Sequence, residues 1–247
     1  QRGWKSIDVI LFTGDAYVDH PSFGGAIIGR LLESLGLNVA IVPQPNWQDD
    51  LRDFKKLGKP NLFFGISPGC MDSMVNHYSV SKKRRQKDAF TPGGVMGKRP
   101  DYATVVYSNL IRRTYKHTPI ILGGIEASLR RLAHYDYWSD KVKRSILLDS
   151  GADMISYGMG EHSILEIAEA LDAGISIHDI TYVAGTVYRT KEGELSAYEP
   201  ISLPAFEEVS TDKKKYAQSF YVQYENTDAF TAKPLVEAYP NKVLVVQ

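Results

Sequence analysis

A short apolar run, Pro119–Leu122, stops at Gly123-Gly124 and gives way to the helix-compatible Ile125–Leu132. An aromatic cluster follows, His134, Tyr135, Tyr137 and Trp138. A buried strand that breaks at paired glycines and resumes as a helix places backbone at the carboxyl end of a sheet, where open α/β sheets hold their ligands. Glycine at such a break lets a ligand or a second strand approach the main chain closely. An ordinary strand–turn–helix joint has the same pattern, so the stretch gains meaning only from what surrounds it.

What surrounds it alternates. Ser6–Thr13 (SIDVILFT), Asn38–Val42, Asn61–Ile66 (NLFFGI), Pro119–Leu122 and Ala152–Tyr157 (ADMISY) read as strands, apolar and bounded by turn residues. Between them Phe23–Leu37 carries Ile27, Ile28, Leu31, Leu32 and Leu35 at helical spacing, stopped by Gly36. Gln48–Leu57, Tyr102–Tyr115 and His162–Leu171 read as further helices. Such β-α-β alternation implies a parallel sheet with right-handed crossovers. One crossover, Ser67–Thr118, is far longer than usual, so an insertion over about 67–100 follows the third strand. It holds a short helix, Met71–Tyr78, a basic run and a glycine-rich loop, Thr91–Gly97. Asp140–Asp149 reads as helical. Tyr182–Arg189 and Glu194–Tyr198 flank Lys191-Glu192-Gly193 as a hairpin by turn chemistry. Asp212–Asn226 reads as a helix and Thr227–Pro240 as irregular. Lys242–Gln247 reads as a strand whose partners lie elsewhere. The expected fold is a three-layer, Rossmann-like, mostly parallel α/β domain over residues 1–200. Residues 201–247 are read as a connector.

The charge balance excludes some functions. With Lys+Arg 29 against Asp+Glu 29, no global field draws the chain to nucleic acid or anionic membrane. No apolar run reaches the roughly 20 residues a membrane helix needs, and the N-terminus lacks a signal-peptide layout. A single cysteine, Cys70, rules out an internal disulfide and fits a reducing cytoplasm. It also rules out a cysteine-ligated iron–sulfur cluster or a structural zinc site within these residues, so no metal ligand is expected here.

Four strand ends place small residues and carboxylates on one rim: Gly14-Asp15, Ser67-Pro68-Gly69, Gly123-Gly124 and Gly158–Glu161. A rim of this kind suits a flat or polar cofactor approached by backbone groups. The helix beginning near Ser22–Gly25 offers free N–H groups to an anion. The candidate cofactor-binding residues are Asp15, His20, Ser22, Gly123, Gly124, Glu126, Gly160 and Glu161; no catalytic residue is assigned. A dinucleotide fingerprint is absent, because Gly158-Met159-Gly160 lacks the third glycine. His20 does not sit in the Asp-x-His-x-x-Gly pattern of cobalt-ligating histidines, since Val18 and Phe23 stand at the aspartate and glycine positions. The run Lys82, Lys83, Arg84, Arg85 and Lys87 suits RNA or another polyanion, although Asp72 and Asp88 dilute its field and a solvated loop is the competing reading. Arg130 and Arg131 with Tyr135, Tyr137 and Trp138 suit stacking on a base or ring; packing of the insertion against the sheet competes.

Three stretches, MDSMVNHYSVSKKRR (Met71–Arg85), Asp88–Lys116 and Ile121–Asp149, closely resemble the amino-terminal region of the YgiQ family of radical S-adenosylmethionine (SAM) proteins. The likeness runs over nearly the whole chain. The resemblance implies a cobalamin-binding-like α/β domain ahead of a radical SAM barrel. In that family the barrel carries a 4Fe–4S cluster on a Cys-x-x-x-Cys-x-x-Cys motif, whose three thiolates leave one iron open to chelate SAM. The ILGG and GMGE loops look like the strand-end loops of cobalamin-binding-type domains. No such cysteine motif occurs before Gln247, so no cluster ligand or SAM-cleaving residue carries over. The implied role is an accessory domain that forms or covers the active site of a barrel on the same polypeptide, inactive alone. Cobalamin is a candidate ligand, and the substrate stays unassigned. The alternative is a non-catalytic RNA- or small-ligand-binding module. A third possibility is a scaffold whose glycines merely permit close packing.

Overall fold

The strands form where short β-branched and aromatic runs are bounded by turn residues, and each turns alternate side chains to opposite faces. The computed structural model describes residues 3–18, 24–228 and 230–247. In chain order they give β1 (Val9–Thr13), α1 (Gly24–Ser34), β2 (Val39–Pro43), α2 (Arg52–Lys55), β3 (Phe63–Ser67), α3 (Ser73–His77), α4 (Ala103–Thr114) and β4 (Ile120–Leu122). Then come α5 (Gly124–Leu129), β5 (His134–Asp136), β6 (Lys141–Lys143), α6 (Ile146–Ser150), β7 (Met154–Ser156) and α7 (Glu161–Asp172). The last third contributes β8 (Thr186–Thr190), β9 (Ile201–Ser202), α8 (Phe206–Thr211), α9 (Lys213–Glu225), β10 (Leu235–Tyr239) and β11 (Lys242–Val246).

Nine strands form one sheet in the order β2-β1-β3-β4-β7-β8-β11-β10-β9. The first five are parallel, with Val9 opposite both Val39 and Phe63, Ile121 opposite Gly65, and Leu122 opposite Ile155. Ile10 and Phe12 of β1 pack with Phe54, Tyr107, Ile111 and Leu147 of the helices on one face. Val9 and Leu11 pack with Leu32, Ile164 and Ile167 of α1 and α7 on the other. The expected three-layer, mostly parallel α/β architecture is the observed one. The chain leaves β1 first toward β2 and then toward β3, so the sheet has its topological switch between β1 and β3. A crevice opens outside the carboxyl ends of the strands at such a point.

The structure revises several local readings. Lys191-Glu192-Gly193 does not close a hairpin. β8 has both edges taken, by β7 and by β11, antiparallel in each case, and Glu192–Glu194 forms a single 3-10 turn. Thr227–Pro240 is not wholly irregular, because Leu235–Tyr239 pairs as β10 between β11 and β9. Lys242–Gln247 has its partners within these residues: β11 inserts between β8 and β10. Asp140–Asp149 is divided, Lys141–Lys143 pairing with β5 and only Ile146–Ser150 helical after the Ser145 cap, whose hydroxyl accepts from Leu147 N. Among the described residues no helix is long and apolar enough to cross a membrane.

Candidate functional site

At the switch point lies a cleft of about 250 Å³. Leu11, Ile41, Ile66 and Ile121 from the strands and Ile28 and Ile164 from α1 and α7 supply apolar walls. Gly24-Gly25, Gly123-Gly124 and Gly158–Gly160 line it with backbone. The hydroxyls of Thr13, Ser67 and Ser156 are its uncharged polar groups, and Glu161 is its one ionisable side chain among the described residues.

Close packing explains two of the glycines. Gly124 has φ +79°, and a Cβ there would come within 2.8 Å of Ser67 Oγ and 3.0 Å of Pro68 Cδ; its N-terminal neighbour Gly123 donates to Ile66 O at 2.8 Å. A Cβ on Gly160 would overlap Ser156 Oγ, which pairs with Ser163 Oγ at 2.7 Å. Gly24 and Gly25 differ, since a Cβ at either meets nothing within 4 Å. Their bareness is open space at the cleft wall rather than tight packing.

Of the residues singled out by sequence, Gly123, Gly124, Gly160 and Glu161 meet at this cleft. Asp15 stands beside it, in a smaller recess that shares Thr13, Ser67, Gly24 and Gly25 with the cleft. Its carboxylate is held by the fold: Oδ2 accepts from Cys70 N at 2.7 Å and Oδ1 from Arg99 Nη1 at 2.9 Å. The fully buried Arg99 also donates to Pro68 O at 2.7 Å and, through Nη2, to both oxygens of buried Asp88 at 3.3 Å. One guanidinium thus ties the β1 loop, the β3 loop and the insertion together. Nothing in the local sequence around Arg99 signals this, because its partners are 84, 31 and 11 residues away.

Glu126 lies on the other face of α5, fully buried. Its Oε2 accepts from Ser73 N and Oγ at 3.2 and 2.8 Å, and Oε1 from Thr104 N at 3.3 Å, which satisfies the first turns of α3 and α4. Burial pushes its carboxyl above the usual range, and the nearby Asp72 adds to that. His20 and Ser22 lie outside the described residues.

Beyond α5, the insertion and the β5–β6 hairpin build a second groove of about 450 Å³. Trp138 packs on Tyr78 with ring centroids 4.2 Å apart, and Lys82 Nζ sits 5.0 Å from the Tyr137 ring centre while donating to Trp138 O at 3.0 Å. Arg130 is ion-paired with Asp72 and lies over the Tyr102 ring; Arg131 lies over Tyr157. The two arginines are therefore engaged in packing. Asp136 accepts from Tyr102, Ser139 and Lys143, and its hydrogen bonds to Ser139 and the Lys143 ammonium bring its carboxyl down to about 2 in spite of partial burial.

No group of three His, Cys, Asp or Glu side chains among the described residues could hold a metal ion. Together with the single cysteine, this means that a 4Fe–4S cluster does not fit the residues of this chain.

A sequence profile described as the radical SAM N-terminal region matches residues 1–247. A UPF0313 protein of Bacteroides thetaiotaomicron is 52% identical over 257 residues, covering 99% of this chain and 42% of that protein. A UPF0313 protein of Clostridium perfringens is 52% identical over 246 residues, covering 100% and 37%. The chain thus spans roughly two fifths of the length of these relatives. Among solved structures, the radical SAM methyltransferase TsrM of Kitasatospora setae, with tryptophan and a SAM analogue bound, aligns with a TM-score of 0.51 at 19% identity. The alignment covers 75% of this chain and 29% of that one. At that identity the likeness is one of fold.

Proposed function

Because the chain belongs to the radical SAM N-terminal family, in its YgiQ-type (UPF0313) branch, we propose that it is an accessory domain that holds a flat, largely apolar cofactor group at the sheet rim. It presents that group to the catalytic part of the same polypeptide. The observation that carries this reading is the glycine-walled apolar cleft at the β1/β3 switch. The position of β11 agrees with it. That strand runs parallel to β7 and brings Gln247 to the same rim, where its carbonyl accepts from Gly185 N at 2.9 Å and Tyr157 Oη at 3.1 Å.

Cobalamin fits in part. The cleft, at about 250 Å³, is below the roughly 300–1,000 Å³ of pockets that enclose a whole drug-sized ligand. It would suit a flat bicyclic group of a corrinoid rather than the whole molecule. Ile28, Ile41, Ile121 and Ile164 would grip the ring, and Gly24-Gly25 and Gly158–Gly160 would let its linkage pass close to backbone. A corrinoid bound there supplies alkyl-transfer chemistry. The described lining residues include no histidine, so they would position the group by shape and exclude water from it without ligating its metal.

The test is retention of hydroxocobalamin by the full-length polypeptide after gel filtration, read by visible absorbance. About one equivalent is expected on the native protein. Gly25→Leu, whose Cβ would meet nothing within 4 Å, is expected to lose at least tenfold in affinity, about 1.4 kcal/mol. Equal retention by the variant would contradict this use of the cleft.

A further inference from the structure

We infer that the groove between α3 and the β5–β6 hairpin is a binding site for single-stranded nucleic acid. Its rim carries Tyr135 and Tyr137, each about half exposed, beside the packed pair Tyr78 and Trp138. Aromatic rings left open in this way are platforms on which unpaired bases stack, whatever the sequence.

Charge distinguishes this groove from a merely greasy one. Residues 81–87 are all exposed, and none of Lys82, Lys83, Arg84 and Arg85 forms an ion pair with a carboxylate among the described residues. Read from sequence, Asp72 and Asp88 weaken this run. In the structure both turn inward, with side chains 5% and 0% exposed, and each is paired with a guanidinium, Asp72 with the mostly buried Arg130 and Asp88 with the fully buried Arg99. The exposed side chains of residues 82–85 are therefore all cationic on this lip, in a chain with no net charge, while the carboxylate of Asp140, which accepts from Tyr135 Oη at 2.6 Å, stands at the hairpin edge. Two of the four cations shape the groove. Lys82 braces Tyr137 and Trp138, and Arg84 lies over Tyr78. Arg85 lines the groove and anchors itself by Nε to Val75 O at 3.3 Å, which leaves its Nη groups for phosphates, and the exposed Lys83 adds a second cation on the same lip.

His134 also lines the groove. His134 Nδ1 lies 3.1 Å from Leu132 O, which can only accept, so the proton sits on Nδ1 and Nε2 keeps its lone pair. Burial holds this imidazole below its usual pKa and hence neutral. A duplex would not use this site, because its bases are stacked within the helix and cannot reach rings or Nε2.

The test uses the full-length polypeptide and a fluorescent single-stranded RNA of about ten nucleotides, with affinity followed by anisotropy across a salt series. Affinity is expected to fall steeply with salt. The pair Lys83→Glu/Arg85→Glu should weaken binding by at least about tenfold and flatten the log–log salt slope by about 1.4. The pair Tyr135→Leu/Tyr137→Leu should weaken it about tenfold with the slope unchanged. Far-UV circular dichroism and unchanged cobalamin retention verify folding; a charge-reversal variant that fails this check is replaced by Lys83→Gln/Arg85→Gln. Equal affinity for an abasic strand or for polyglutamate would overturn the inference and leave a surface for acidic protein. So would a charge variant that binds RNA like the native protein.

Discussion

Replacing Arg99 by leucine is expected to lower the unfolding free energy by about 3–5 kcal/mol, the range seen when one partner of a buried ion pair is removed. The cause is what stays behind. Asp88 is fully buried and Asp15 nearly so, and both lose the cation that compensates them, while Pro68 O loses its donor. The loops after β1 and β3 then have no shared anchor, so the cleft wall they form should loosen as well. Urea unfolding followed by tryptophan fluorescence and circular dichroism measures this. The double variant Arg99→Leu/Asp88→Asn should recover part of the loss, because a neutral amide costs less to bury than an unpaired carboxylate. A loss below about 1 kcal/mol, the worth of a surface pair, would show that the node is solvated.

The second large effect concerns Glu237, in the middle of β10 and fully buried. Both its oxygens accept from Ala133 N, at 3.1 and 3.0 Å, and Oε2 also accepts from Tyr239 Oη at 2.5 Å. Burial wins over these bonds and pushes its pKa from 4.5 to about 7. The folded state therefore binds a proton more tightly than the unfolded chain. The associated stability is fully present below pH 4.5 and is lost as pH rises through 7. A displacement of this size corresponds to about 3 kcal/mol at most. Glu237→Gln removes the titration while keeping an acceptor for Ala133 N. Relative to the native protein, its unfolding free energy should gain as pH rises from 4.5 to about 7 and level off above that. A difference between the two proteins that stays constant with pH would show that Glu237 does not carry the effect.

The parallel half of the sheet was legible because each of its strands is a compact apolar run ended by glycine, proline or serine. Its β-α-β order leaves few topologies. The antiparallel half was not. The turn residues Lys191-Glu192-Gly193 favour a hairpin locally, yet β8 pairs with β7 and β11, whose contribution comes from the far end of the chain. Sequence distance hides such pairings, and burial of Val243–Val246 between β8 and β10 outweighs the local turn preference. At the rim, the glycines that follow strands, Gly123, Gly124 and Gly160, do line the cleft. Carboxylates were harder to place. Asp15 and Glu126 look alike in sequence to Glu161, but one is bound to Arg99 and the other caps two helices, and only Glu161 borders the cleft. The inward turn of Asp72 and Asp88, which takes those two carboxylates away from the basic lip, likewise depends on arginines remote in sequence.

A cofactor group seated in the rim cleft should be visible by amide hydrogen exchange of the full-length protein with and without hydroxocobalamin. New protection is expected only in the backbone of Gly24-Gly25, Gly123–Ile125 and Gly158–Glu161, and not in Gly25→Leu. Protection elsewhere with these amides unchanged would contradict that seating.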